Sequence, residues 1–146
     1  MDNILICTVG LPRSGKSTWA KLQGIPIVNK DSLRYAIYGQ RFWAPGEHLI
    51  RSHALIMVRS LFMAGHNCVI LDECNASINA RLDWIDEGSK SEFIRWITKF
   101  KIFDTSPDIC KKRASDDRLR EVINSMSEHL FDKDGKFKIG GEYEII

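Results

Sequence analysis

The 146-residue sequence contains no apolar run approaching the roughly 20 residues that a membrane-spanning helix needs, so no membrane partner is expected. Its first residues, Met1, Asp2 and Asn3, lack the basic start of a secretory leader, and the chain reads as cytoplasmic. The four cysteines, Cys7, Cys68, Cys74 and Cys110, form no CxxC pair and fall partly in apolar runs, which makes them reduced core thiols. The four histidines, His48, His53, His66 and His129, show neither HxxxH nor HExxH spacing and are assigned no metal. There is no internal repeat, low-complexity tract or linker, and the length suits one domain spanning 1–146. The net charge of +2 does not by itself announce a nucleic-acid binder, but it is unevenly spread. Residues 1–66 carry eight Lys/Arg against three Asp/Glu, and residues 67–146 carry thirteen against sixteen, giving +5 and −3. An anionic ligand should therefore prefer the first half.

What is present is an alternation of short apolar runs with helical patterns. Ile4 to Val9 is nearly continuous and rich in β-branched residues, the pattern of a strand covered on both faces. A helix from about Lys16 to Gln23 follows, closed by Gly24, and then a second strand over Pro26 to Val28. Asp31 reads as the N-cap of a helix ending at Tyr38, before an irregular stretch from Gln40 to Gly46. Helical periodicity runs from Glu47 to Ala64, a third strand covers Cys68 to Leu71, and a helix spans Asn79 to about Glu87. Trp96 to Phe103 is a fourth strand, Pro107 opens another helix, a further helix covers about Leu119 to His129, and Tyr143 to Ile146 supplies a possible fifth strand. The implied fold is α/β, a three-layer arrangement with a central parallel sheet of four to five strands and helices on both faces. Ligands of such sheets bind beyond the carboxyl ends of the strands.

The residues Gly10, Leu11, Pro12, Arg13, Ser14, Gly15, Lys16 and Ser17 match G-x-x-x-x-G-K-[ST] in full, between a predicted strand and a predicted helix. Glycines at both ends let successive amides turn inward, and the following helix adds its partial positive N-terminus, so the loop suits the phosphates of ATP or GTP. Lys16 is expected to bridge the β- and γ-phosphates and Ser17 to ligate Mg²⁺, with Thr18 beside it. For Arg13 phosphate contact and simple solvation are both open.

On the acceptor side, Asp31 and Arg34 are three residues apart at the start of a helix, so they share a face. A carboxylate there can orient and deprotonate an attacking hydroxyl while the arginine holds an anionic part of the acceptor. The plain alternative is a capping aspartate with a solvated arginine. Val69 to Asp72 is an apolar strand ending in an acid, which would bring Asp72 toward the metal or Lys16, and Glu73 beside it raises the rival idea of water activation in an ATPase. Lys111 to Arg113 and Arg118 to Arg120 could form a lid over about 111–120 that stabilises the transferring phosphoryl group, or a solvated charged face. Arg41, Phe42 and Trp43 could stack an acceptor base or pack under the loop.

The run Gly10, Pro12, Ser14, Gly15, Lys16, Ser17, Thr18, Trp19, followed by Asn29, Asp31 and Arg34, resembles the small P-loop kinases related to the 5′-kinase domain of phage polynucleotide kinase. The similarity continues through Asp72, Asn75 and Phe103-Asp104 and covers most of residues 1–125. The resemblance implies that Asp31 is the general base for a 5′-hydroxyl, Arg34 a contact to the acceptor's phosphate, Asp72 a partner of the P-loop, and Arg113 and Arg118 lid arginines that contact the nucleotide. Two departures stand out: the family's aspartate and asparagine lie closer together than Asp72 and Asn75, and Arg118 is displaced by one position. The leading expectation is transfer of the γ-phosphoryl group of ATP to the 5′-hydroxyl end of single-stranded DNA or RNA. A kinase for a nucleoside, sugar or other small alcohol is the alternative, and an ATPase or ATP-binding switch the third.

Overall fold

Ile4–Gly10 forms β1, and it pairs in parallel with β3 (Cys68–Asp72) on one side and β4 (Ile97–Phe103) on the other. The computed structural model describes residues 2–140, 145 and 146. A short β2 (Ile27–Asn29) completes a parallel sheet in the order β2-β3-β1-β4. Leu5, Cys7 and Val9 of β1, Val69 and Leu71 of β3 and Phe100 of β4 are buried in one core, which explains the near-continuous hydrophobicity of these runs. The helices α1 (Lys16–Lys21), α2 (Lys30–Tyr38), α3 (Glu47–Met63), α4 (Ile78–Lys90), α5 (Pro107–Arg113) and α6 (Asp117–Leu130) flank the sheet. No helix of the described residues is long and apolar enough to cross a membrane.

The expected four to five strands resolve to a four-stranded sheet among the described residues. Residues 141–144, which carry most of the proposed fifth strand, lie outside the described residues. Ile145 does make one parallel bridge to Phe100 at the free edge of β4. Helix boundaries differ from expectation by a residue or more at several ends, and those of α2 and α4 have a clear cause. The N-cap of α2 is Asn29, whose side chain accepts from the Ser32 amide, so Asp31 sits in the first turn instead. Helix α4 starts after a Ser77 cap and runs through Gly88 to Lys90, although a glycine there reads as a stop.

Gly88 has a packing reason. A Cβ at that position would lie 2.6 Å from both the Trp96 indole nitrogen and the Trp96 carbonyl oxygen. The Trp96 ring in turn stacks on Phe62 of α3 with centroids 5.6 Å apart, so the glycine lets α4, β4 and α3 close on one another. The buried carbonyl cannot step aside as a flexible side chain could.

Helix propensity alone favours Gly88→Ala by up to about 1 kcal/mol. Overpacking against backbone works the other way, by about 1–3 kcal/mol, and should win. Gly88→Ala is accordingly expected to lower the urea unfolding midpoint, while an unchanged or raised midpoint would contradict the packing account.

Candidate nucleotide site and acceptor arm

The carboxyl ends of β1, β3 and β2 bring the predicted residues to one edge. Register pairs Asn29 with Asp72, and Gly10 with Phe103. Gly10 is required by contact, since a Cβ would lie 2.8 Å from both the Phe103 carbonyl oxygen and Ser14 Oγ. Its amide donates to the Cys74 carbonyl at 3.0 Å, so Gly10 shapes the loop with its N–H already engaged. Arg13 and Gly15 adopt left-handed conformations, with φ of 67° and 100°, and turn the loop into α1. Leu11 is fully buried in the core, leaving its backbone on the site. Pro12 is partly buried and Thr18 exposed.

Lys16 is 7% exposed and its ammonium lies across the loop, donating to the Leu11 carbonyl at 2.6 Å and toward Ser14 Oγ at 3.4 Å. Outside the loop, Thr105 donates to the Ser14 carbonyl at 3.0 Å and Arg113 to the Arg13 carbonyl at 3.2 Å. The end of β4 and the end of α5 thus brace the cradle. The segment expected to be a lid is the end of α5, a break, and the start of α6, anchored by buried Ala114 and Leu119. Arg120 caps α5 by donating to the Lys111 and Ala114 carbonyls, whereas Arg113 and Arg118 are exposed.

Asp72 is the centre of the edge. It is 5% exposed, and its Oδ2 accepts from Ser17 Oγ at 2.6 Å and from Asn29 Nδ2 at 2.9 Å, with Thr8 Oγ1 3.4 Å from Oδ1. All three of these partners are neutral. None of them is a cation, and a serine hydroxyl beside a carboxylate is a hard oxygen pair suited to Mg²⁺. Among the described residues no group of three or more His, Cys, Asp or Glu could hold a metal, so an ion here would take its remaining ligands from phosphate and water. The adjacent Glu73 is bound to Lys30 at 2.6 Å. Burial pushes the Cys74 thiol up, while the nearby Lys16 ammonium opposes that shift and the Asp31 and Glu73 carboxylates reinforce it.

Asp31 and Arg34 do meet, at 2.7 Å, but Asp31 is 67% exposed and Arg34 is shared. Glu47 grips the guanidinium through Nε at 2.9 Å and Nη2 at 2.6 Å. The arginine is held firmly in its charged form by these carboxylates against the opposing effect of burial. Sequence reasoning missed Glu47 because it lies 13 residues from Arg34 and only the packing of α2 on α3 joins them. It also assigned no part to Thr8, whose hydroxyl ties the Glu73 backbone to β1, or to Lys30; for Lys30 its place beside a strand end was the available signal. Asn75, with φ of 46°, donates to the Thr8 carbonyl and accepts from Arg81 through its own carbonyl, so it is a strut behind the loop.

A glycine-rich cradle between β1 and α1, with an acid on the adjacent parallel strand bonded to the loop serine, defines a P-loop nucleotide-binding domain with a kinase-like fold. The chain belongs to the AAA domain family, which matches residues 5–128. It is similar to a chain of the Pnkp1/Rnl/Hen1 complex, with 28% identity and a TM-score of 0.67 over 80% of this chain and 40% of that one. A chain of the Pnkp1/Rnl/Hen1 RNA repair complex gives 26% identity and a TM-score of 0.62 over 94% of this chain and 40% of that one. The present chain therefore spans less than half the length of these neighbours. A Chloroflexus aurantiacus protein, itself assigned as a kinase only provisionally, matches in fold at 16% identity and a TM-score of 0.61, over 100% of this chain and 88% of its own.

Hydrogen bonding to Arg34 holds the Glu47 carboxyl below its ordinary value of 4.5, so its contribution to stability is complete above that value and is lost as pH falls through the folded-state pKa. The stability gap between the native chain and Glu47→Gln should then be widest at neutral pH and shrink as unfolding is measured in progressively more acidic buffer. A gap independent of pH would mean that the pair contributes nothing as ions.

Proposed function

We propose that this chain is an ATP-dependent polynucleotide 5′-hydroxyl kinase, moving the γ-phosphoryl group to the 5′ end of single-stranded DNA or RNA. The observation that carries the reading is that one oxygen of Asp72 accepts from both Ser17 of the P-loop and Asn29, two positions before Asp31. Nucleotide side and acceptor side are thereby tied through a single atom. Similarity to chains of the Pnkp1/Rnl/Hen1 complexes supports the same reading.

In the proposed reaction the loop amides and Lys16 bind the triphosphate, and Ser17 and Asp72 would hold Mg²⁺, which would offset charge on the phosphate oxygens. Asp31 accepts the proton of the attacking 5′-hydroxyl, and Arg34, bonded to it at 2.7 Å, orients that carboxylate. Arg113, bonded to the loop at Arg13, adds positive charge beside the cradle, with Arg118 on the same flank. Water activation by Glu73 is the weaker reading, because Lys30 already matches its charge.

Incubation with γ-labelled ATP and magnesium, offering 5′-hydroxyl DNA, 5′-hydroxyl RNA, free nucleosides or no acceptor, tests the proposal. Label should move to oligonucleotide ends, and label only on nucleosides, or only on free phosphate, would overturn it. Asp31→Asn should bind ATP normally while transfer falls by roughly 10²-fold or more, and Lys16→Ala should lose transfer by a comparable factor.

A further inference from the structure

The second half of α2 and the turn from it to α3 carry large side chains that the phosphate site does not use. Tyr35, Phe42 and Trp43 are 53%, 49% and 45% exposed. Aromatic side chains contribute most to stability when buried, so three half-open ones within nine positions are a cost to the fold unless something covers them. The core-packing fate expected as one option for Phe42 and Trp43 is not what the fold gives them.

Of these rings, Trp43 has a defined partner. Trp43 meets Tyr38 edge-on with centroids 5.0 Å apart. The Tyr38 ring lies over Gly46, where a Cβ would come within 2.5 Å of it, and the Tyr38 hydroxyl approaches the Gly46 carbonyl at 3.4 Å. Gly46 precedes Glu47, the residue that clamps Arg34. Trp43 is thereby linked through Tyr38 and Gly46 to the Glu47–Arg34 clamp, and Arg41 adds a cation next to it in sequence within the basic first half of the chain.

We propose that Phe42 and Trp43 form a stacking platform for a base of the single-stranded acceptor whose 5′ end is presented to Asp31. This inference rests on the kinase reading and deepens it by assigning the surface that selects a polynucleotide. Every base has a π-face, so stacking on such a platform is tolerant of sequence, and a neighbouring arginine attracts the backbone. A sugar or other small alcohol has no base to reach it, so the platform separates polynucleotide acceptors from small ones.

The test is steady-state phosphorylation of a 5′-hydroxyl single-stranded oligonucleotide by the full chain and by Phe42→Ala, Trp43→Ala and Trp43→Phe. The alanine variants should raise KM for the oligonucleotide by about 10-fold with KM for ATP unchanged, and Trp43→Phe should stay near the native value. An oligonucleotide made abasic at the stacked position should raise the native KM to a similar extent and erase the difference between native chain and Trp43→Ala. Native KM in both alanine variants would overturn the platform while leaving the kinase reading intact. So would a Trp43→Ala defect that persists at every abasic position tried, or a changed sedimentation coefficient with unchanged KM, which would make the patch a contact between copies. Failure of the native chain to phosphorylate any 5′-hydroxyl oligonucleotide would remove the kinase reading and the platform together.

Discussion

The 2.6 Å contact between Ser17 and Asp72 is the point on which the rest of the edge depends. A carboxylate that is 5% exposed loses nearly all its hydration, a cost of several kcal/mol that neutral hydrogen bonds offset only in part. The fold accepts that cost at one place and surrounds it with donors from three separate elements: Ser17 at the start of α1, Asn29 at the end of β2 and Thr8 within β1. Thr8 and Asn29 are positioned by the parallel register that sets β3 beside both β1 and β2. A shift of either strand by one residue would turn these side chains to the wrong face of the sheet.

From that point the structure extends in two directions. Toward the nucleotide, Gly10 and Gly15 give the loop its close approach and its left-handed turn, and Thr105 and Arg113 hold its outer carbonyls. Toward the acceptor, Asn29 both bonds to Asp72 and caps α2, so one side chain sets where the helix carrying Asp31 and Arg34 begins. Arg34 is then shared between Asp31 and Glu47, which makes the orientation of an exposed carboxylate depend on the packing of α3. In the proposed reaction this sharing would matter, because small displacements of a base relative to the hydroxyl it deprotonates are expensive in rate.

Much of this was legible in the chain because it is encoded locally. The glycine-lysine-serine run between an apolar strand and a helix identifies the cradle, and the acid ending Val69 to Asp72 identifies its partner. Boundaries were harder where two residues compete for one task. Asn29 and Asp31 are both good caps, and Asn29 takes the position because its pairing with Asp72 fixes it at the strand end. Gly88 reads as a helix stop in isolation but serves the approach of Trp96, a tertiary reason with no local trace. The clamp of Glu47 on Arg34 and the salt bridge of Lys30 to Glu73 join residues far apart in sequence, and no spacing rule reaches them.

The central claim is that Asp72, held by neutral donors at the cradle, is a ligand for the cation that accompanies the triphosphate. Calorimetric titration of ATP into the native chain and into Asp72→Asn, each with and without magnesium, tests it directly. Magnesium should tighten ATP binding to the native chain by about 10-fold or more, and most of that gain should vanish in Asp72→Asn, since removing one charged ligand costs more than a neutral hydrogen bond. An equal magnesium effect in both proteins would contradict the account.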